Sequence, residues 1–171
     1  TSPFAFTGNK FEFRAVGSTA NCAVPMTVLN TIVADQLNMF KAAVDKRIAS
    51  GDKKDEALLK EIQSLIKQSK SIRFEGNGYG EEWVEEATKR GLSNLMDTPS
   101  ALAVWDRKEV VALFDHMGVL SPEEVAARTE VEFENYTMKL QIEARVLGDM
   151  VTNQVLPAVI DYQGDLLANI Q

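Results

Sequence analysis

Cysteine and histidine are almost missing from this chain, which contains one of each, Cys22 and His116. One thiol cannot close an intramolecular disulfide or build a thiolate metal cage, and this favours a reducing, cytoplasmic setting. One thiol and one imidazole also leave little scope for a nucleophile and its base. We interpret His116 as a helix-end residue that interacts favourably with the C-terminal dipole, and Cys22 as a small buried or loop residue.

Positive charge is also scarce, since 25 acidic residues face 18 basic ones for a net charge of −7. Neither nucleic acid nor an anionic membrane is therefore an expected partner. Runs of eighteen apolar residues are missing, and the first residues lack the basic region of a signal peptide. Length and composition, 171 residues with 45% hydrophobic, nevertheless suffice for an ordinary globular core.

Glycines at 76, 78 and 80 resemble a phosphate loop but lack the lysine and hydroxyl that such a loop requires. The helix expected after them also begins with Glu81 and Glu82, whose carboxylates would neutralise its dipole. The pattern therefore favours a plain turn. The two tryptophans, Trp83 and Trp105, are interpreted as packing anchors.

Most of the chain carries helical periodicity, which predicts a multi-helix bundle of about six or seven helices. The first helix is expected from the loop before Pro25 to Ser50-Gly51, and the second after Asp52, with Glu56 four residues before Lys60. Together they predict an antiparallel hairpin. A brief extended stretch is expected at 71–75, and further helices at 81–90, after Thr98-Pro99 and from Asp106 to Gly118.

A long final helix is predicted from the sequence Ser121-Pro122-Glu123-Glu124, which combines an N-cap, a first-turn proline and a capping glutamate. One apolar face continues to Val155, so the helix would be roughly 35 residues and about 50 Å long. Such a helix needs several neighbours or another subunit. Leu156-Pro157 should kink it before a terminal helix.

The N-terminal segment from Phe4 to Val16 alternates aromatic and charged residues around Thr7-Gly8-Asn9, which predicts two short strands. Period two would place Lys10, Glu12 and Arg14 on one side, about 6 to 7 Å apart. Glutamate is a hard oxygen donor for Mg²⁺ or Mn²⁺, arginine can clasp a carboxylate, and lysine can meet phosphate. The pattern alone favours the alternative, a solvated charged face with mutual salt bridges.

The stretch Phe4-Ala5-Phe6-Thr7-Gly8-Asn9-Lys10-Phe11-Glu12-Phe13-Arg14 resembles the strand near the end of the catalytic domain of type III glutamine synthetases. In that family the strand reads basic-x-Glu-x-Arg. The resemblance implies that Glu12 ligates a catalytic metal and that Arg14 contacts substrate glutamate and the transferred phosphate. Lys10 stands where many members have an arginine associated with the nucleotide phosphates. Residues 72–79 and 156–158 also resemble the helical C-terminal region of these enzymes.

The resemblance implies a mainly α fold, a helical bundle with a short N-terminal β remnant of the α+β catalytic domain. Residues 1–24 would be the edge of that domain and residues 25–171 the helical C-terminal region. The implied reaction is ATP-dependent ligation of ammonia to glutamate, using Mg²⁺ or Mn²⁺, in a cytoplasmic dodecamer of two stacked hexamers.

The chain begins with Thr1 inside a strand signal, so we expect it to be cut from a longer protein and to lack the other metal ligands. Alone it should be inactive and should self-associate through exposed apolar patches. The alternative is a helical oligomerisation or regulatory module without catalysis.

Overall fold

The computed structural model describes residues 4–13 and 20–170, and the side chains of 6–12 and 20–170. The described chain is mainly α with a small N-terminal β hairpin, as predicted. The hairpin contains β1 (Phe4–Phe6) and β2 (Phe11–Phe13). The helices are α1 (Ala23–Ala49), α2 (Lys54–Gln68), α3 (Glu81–Lys89), α4 (Thr98–Leu102), α5 (Lys108–His116), α6 (Pro122–Met150) and α7 (Leu156–Ala168).

The first two helices form the predicted hairpin and pack against each other. The chain reverses at Gly51, whose φ of +105° is a conformation that glycine adopts without a steric penalty. Arg47 Nε donates to Glu61 Oε2 at 2.5 Å across the pair. The expected ion pair between Glu56 and Lys60 is not the one in the structure. Lys60 Nζ donates instead to Asp52 Oδ1 at 2.7 Å.

The core lies where α4, α5 and the first turns of α6 meet. Phe114 and Val125 are 1% and 0% exposed, and the Trp105 ring stacks on Phe114 with 5.4 Å between centroids. The buried Thr129 hydroxyl donates to the Val125 carbonyl at 2.9 Å, which satisfies its polar atom inside the core. Burial of Phe114 and Val125 thus joins α4, α5 and the start of α6 into one unit.

Three predicted boundaries are wrong in informative ways. Residues 69–72 form a 3₁₀ turn, so Ser71 and Ile72 are not part of the extended stretch expected at 71–75, and Arg73 is extended. The N-cap of α5 is Arg107, because Asp106 closes a 3₁₀ turn, Ala103–Asp106, that continues α4. The first helix begins at Ala23, so the loop expected before Pro25 ends two residues early, while Pro25 lies in the first turn as predicted. The division at 24/25 itself stays a prediction.

Helix α6 begins with the predicted capping box, in which Ser121 Oγ accepts from Glu124 N–H and Glu124 accepts from Ser121 N–H. The ladder of i→i−4 bonds then stops at Met150, and a π-helical turn, Val151–Val155, precedes α7. Pro157 has no N–H to donate to the Asn153 carbonyl four residues earlier, so an α-helical ladder cannot continue there. The structure thus has a wider helical turn just before Leu156-Pro157, and the kink expected there stays a prediction.

Candidate functional site

The β hairpin carries two of the three residues proposed from the sequence to act in catalysis. Its strands are antiparallel, with Phe4 opposite Phe13 and Phe6 opposite Phe11. Thr7 N–H and Thr7 Oγ1 both donate to the Lys10 carbonyl, at 2.9 and 3.2 Å, and close the turn. Gly8 adopts φ +100° within it, which explains glycine at this position.

Lys10 and Glu12 are close together, as the period-two pattern predicts. Lys10 Nζ lies 3.9 Å from Glu12 Oε1, and their side chains are 68% and 38% exposed. Lys10 belongs to the turn and Glu12 to β2, so the strand is shorter than the sequence suggests. An exposed ion pair at this distance contributes little stability.

Arg14, the third residue of the expected row, lies outside the described residues. Its position relative to Glu12 therefore stays a prediction. The rings of Phe6 and Phe11 lie on the hairpin with 5.2 Å between centroids and are 64% and 58% exposed. Among the described residues the two strands pair with each other and contact no helix.

Metal-ligating groups do not cluster elsewhere in the part of the chain that the structure describes. No group of three or more His, Cys, Asp or Glu side chains there could hold a metal ion. Glu12 is a hard oxygen donor, and its role as a metal ligand stays a prediction.

His116 and Cys22 have the ordinary roles expected of them. His116 is the last residue of α5, at the negative end of the helix dipole. Cys22 is an exposed residue directly before α1.

The glycine-rich segment 76–80 is a turn before α3, as predicted. Asn77 Oδ1 accepts from Tyr79 N–H at 3.1 Å, and Gly80 N–H donates to the Asn77 carbonyl at 3.1 Å. A depression of ≈ 590 Å³ beside it is lined by Glu75, Glu81 and Glu82. Three carboxylates repel a phosphate, so this depression does not suit a nucleotide.

The two tryptophans pack as expected, and the arginine that completes one of these clusters was not predicted. Trp83 stacks on Phe74 with 4.2 Å between ring centroids. Arg90 lies 5.8 Å from the Trp83 centroid, donates to the Arg73 carbonyl at 2.8 Å and pairs with Glu86. The sequence indicated only that a cation would lie at the end of α3. Arg90 holds the 71–74 segment against that helix.

Candidate membrane segments are also missing from the described residues, where no helix combines the length and apolar character needed to cross a bilayer.

Comparisons with known proteins support the resemblance noticed in the sequence. Residues 57–171 match the glutamine synthetase C-terminal domain family. A glutamine synthetase of Bacteroides fragilis (strain YCH46) is 50% identical over 170 residues, which is 99% of this chain and 23% of that protein. A type-3 glutamine synthetase of Dictyostelium discoideum is 41% identical over 170 residues, again 99% and 23%.

A glutamine synthetase of Butyrivibrio fibrisolvens is 35% identical over 173 residues, covering 99% of this chain and 24% of the relative. The chain thus spans about a quarter of the length of the curated relatives it matches. The similarity includes the β hairpin as well as the helices, because it extends over nearly all of the chain. The chain belongs to the glutamine synthetase C-terminal domain family, and its relatives include a type III enzyme.

Proposed function

We propose that this chain is the C-terminal part of a glutamate–ammonia ligase, a type III glutamine synthetase that makes glutamine from glutamate, ammonia and ATP. The supporting observation is the 50% identity to the Bacteroides fragilis protein over 170 residues, which includes the turn and strand that carry Lys10 and Glu12. The proposed reaction phosphorylates the γ-carboxylate of glutamate, and ammonia then displaces phosphate. The proposed setting is the cytoplasm.

Glu12 is proposed to be one ligand of Mg²⁺ or Mn²⁺. Its carboxylate is a hard oxygen donor, and its side chain is 38% exposed. A bound divalent ion would offset negative charge where nucleotide and glutamate meet. The remaining ligands would come from the rest of the longer protein.

Arg14 and Lys10 are proposed to bind the anions of the reaction. The guanidinium of Arg14 can donate two parallel hydrogen bonds to the carboxylate of glutamate or to the transferred phosphoryl group. Lys10 is a mobile point charge and would contact the nucleotide phosphates. Its 68% exposure leaves it free to reorient toward such a partner.

The catalytic proposal is tested by substitution in the longer enzyme that contains this chain. Glu12→Ala and Arg14→Ala should each lower kcat/KM on the order of 100-fold or more, since each removes charge stabilisation at the reacting groups. Glu12→Gln keeps the size of the side chain and should raise the Mg²⁺ concentration needed for half-maximal rate. Lys10→Ala should raise KM for ATP about tenfold.

Glu75→Ala is the matched control, because Glu75 is an exposed carboxylate outside the hairpin. It should leave turnover unchanged. Full activity of both the Glu12→Ala and the Arg14→Ala enzymes would remove the catalytic assignment. The 171-residue chain alone is expected to be inactive, and ATP-dependent glutamine formation by it would contradict this.

A second candidate function is a helical module that mediates oligomer contacts or regulation without catalysis. Exposed apolar side chains favour this role for residues 25–171, because every residue from Thr137 to Ile170 is exposed. The two roles are compatible in one protein. We propose that the longer protein is a homo-oligomer, a dodecamer by analogy with the type III enzymes.

A further inference from the structure

The dipeptide Asn77-Gly78, in the turn before α3, has no part in the proposed function. Asparagine occurs at nine positions of the chain, and this is the one place where glycine follows it. The amide carbon of an asparagine side chain is within reach of the next backbone nitrogen, which can close a succinimide ring on it. A side chain on the following residue hinders this approach, and glycine has none. Asn77 is therefore the least hindered asparagine of the chain.

The backbone around Asn77 is open to solvent. Every residue from Ser71 to Tyr79 is exposed. The Gly78 N–H donates to no group among the described residues, and no atom lies within 4 Å of the place where a Cβ at Gly78 would stand. In regular structure a backbone nitrogen is engaged in a hydrogen bond and held away from reaction. The Gly78 nitrogen has no such restraint.

The Asn77 side chain folds back over the peptide that would react with it. Asn77 Oδ1 accepts from the Tyr79 N–H at 3.1 Å, which brings the side-chain amide beside the intervening Gly78 nitrogen. The same bond would stabilise the negative charge that develops on Oδ1 when a nucleophile adds to Cγ. Asn77 Nδ2 lies on the side of Gly80, which has no side chain to obstruct a leaving group.

We propose that Asn77 is a site of spontaneous modification, at which Gly78 N closes a succinimide on Asn77 Cγ and water opens it to isoaspartate or aspartate. In the first step Gly78 N gives its proton to water and bonds to Cγ. The Cγ–Nδ2 bond breaks, and the nitrogen takes a proton from water and leaves as ammonia. In the second step water adds to one of the two imide carbonyls. No electron passes to or from an oxidant or reductant.

The isoaspartyl product changes the backbone at the start of α3. Its main chain runs through the former side chain and is longer by one methylene, and the Asn77 backbone carbonyl becomes a carboxylate. In the parent chain the Gly80 N–H donates to that carbonyl, and the Trp83 N–H donates to the Gly80 carbonyl, both at 3.1 Å. Both products also add a negative charge beside Glu81 and Glu82. The turn and the first bonds of α3 are therefore weakened.

Gly76 connects this turn to the aromatic stack on α3. A Cβ at Gly76 would lie 2.8 Å from Phe74 Cζ, so the Phe74 ring packs directly on the Gly76 backbone. The other side of the stack is Trp83, 4.2 Å from Phe74 between ring centroids. Among the described residues α3 packs on none of the other six helices, so few contacts oppose a change here. We expect the modification to loosen the 71–80 segment from α3.

The test is peptide mapping of the 171-residue chain by mass spectrometry after incubation at mildly alkaline pH. Electron-based fragmentation separates isoaspartate from aspartate. Conversion at Asn77 should be about tenfold or more faster than at each of the other asparagines. Slower conversion at Asn77 than at another asparagine, or none at all, would overturn the proposal.

Gly78→Ala is the decisive variant, because the structure has room for its methyl group and Gly78 does not have a positive φ. The fold should stay intact, while conversion at Asn77 slows about tenfold or more, since the methyl group hinders ring closure. Gly164→Ala is the matched control. It adds the same methyl group in α7, also into open space, and should leave the rate at Asn77 unchanged. An equal rate in the parent chain and in Gly78→Ala would contradict the proposed reaction.

The contribution of the folded turn is tested by repeating the incubation in urea. The folded chain should convert at least as fast as the unfolded one, because the turn leaves Gly78 N unbonded and supplies the Tyr79 N–H to Oδ1. Conversion about tenfold slower in the folded chain would show that the turn protects Asn77, and the inference would fail.

Hydrogen exchange measured by mass spectrometry tests the loosening of α3. The modified chain separates from its parent by anion exchange, because it carries one more negative charge than the parent's −7. Amides of residues 78–83 should exchange faster in the modified chain, and those of 122–129, at the start of α6, should not change. Equal exchange at 78–83 would refute the loosening. The inference goes beyond the proposed function and is independent of it, since neither substrate nor hairpin residue enters these measurements.

Discussion

The β hairpin and the helical bundle differ in how their positions are fixed. Phe114, in the bundle, is 1% exposed and stacks on Trp105, whereas Phe6 and Phe11 in the hairpin are 64% and 58% exposed. The hairpin is held by its own turn and strand pairing, and among the described residues it contacts no helix. Lys10 and Glu12 therefore lie on a part of the chain that the described helices do not hold in place.

Phe114→Ala should cause the largest loss of stability among the substitutions considered for the bundle and the hairpin. It removes a fully buried ring between α5 and α6 and should lower the free energy of unfolding of the bundle by about 3–5 kcal/mol. Chemical denaturation followed by circular dichroism at 222 nm measures the change. The matched control is Phe11→Ala, which removes an equal ring from the hairpin.

Phe11→Ala should leave the helical transition within about 0.5 kcal/mol of the parent chain. An equal loss from the two substitutions would contradict the contrast and would show that the hairpin and the bundle unfold as one unit. The comparison is made in the same chain, so length and net charge stay constant.

Most helices could be predicted because their signals are local. The capping box at Ser121 and the glycines that end helices at Gly51 and Gly118 all have the predicted roles. These features depend on a few neighbouring residues and on backbone geometry. Their success explains why the mainly α class was predictable from sequence.

The predictions failed where the structure depends on residues distant in sequence or on a one-residue change in helix register. Lys60 pairs with Asp52 and not with Glu56 on its own helix, because the turn between α1 and α2 places the Asp52 carboxylate 2.7 Å from the Lys60 ammonium. The π turn was not predicted, although the apolar face of α7 is offset by one residue from that of α6. That offset was the available signal.

The candidate site was predictable only in its pattern. Alternation placed Lys10 near Glu12, and the structure has them 3.9 Å apart. Which ligand binds there depends on residues of the longer protein that would contact the hairpin. Arg14 lies outside the described residues, so its place in the row stays a prediction.

Ser121→Ala should destabilise the bundle by less than Phe114→Ala. It removes the hydroxyl that accepts from Glu124 N–H at the start of α6, and should cost about 1 kcal/mol of unfolding free energy. Denaturant titration detects this loss. Thr152→Ala, which removes an exposed hydroxyl bonded to the Gly148 carbonyl, is the control and should cost less than about 0.5 kcal/mol.

The Ser121 result also depends on the capping glutamate. Glu124→Ala should weaken the same cap, and the double variant should lose less than the sum of the two single losses, since both groups serve one capping box. Strict additivity would indicate that the reciprocal bonds do not act together.

The smallest expected effect concerns Asp97, the N-cap of α4. Hydrogen bonds from the Ser100 backbone N–H and then from the Ser100 hydroxyl hold the pKa of the Asp97 carboxyl below its ordinary value of 3.8. Because the folded pKa is the lower one, the charged carboxylate stabilises the fold above pH ~4. This contribution is lost as the pH falls through the folded pKa.

Carbon-detected NMR titration of the carboxyl resonances measures this pKa directly. In Ser100→Ala the hydroxyl donor is absent and the backbone donor stays, so the Asp97 pKa should rise part of the way toward 3.8. Ala101→Ser, on the same short helix, is the control and should leave it unchanged. An Asp97 pKa at or above its ordinary value in the parent chain would mean that the cap is open in solution, and α4 would then resemble the hairpin in depending on contacts from beyond the bundle.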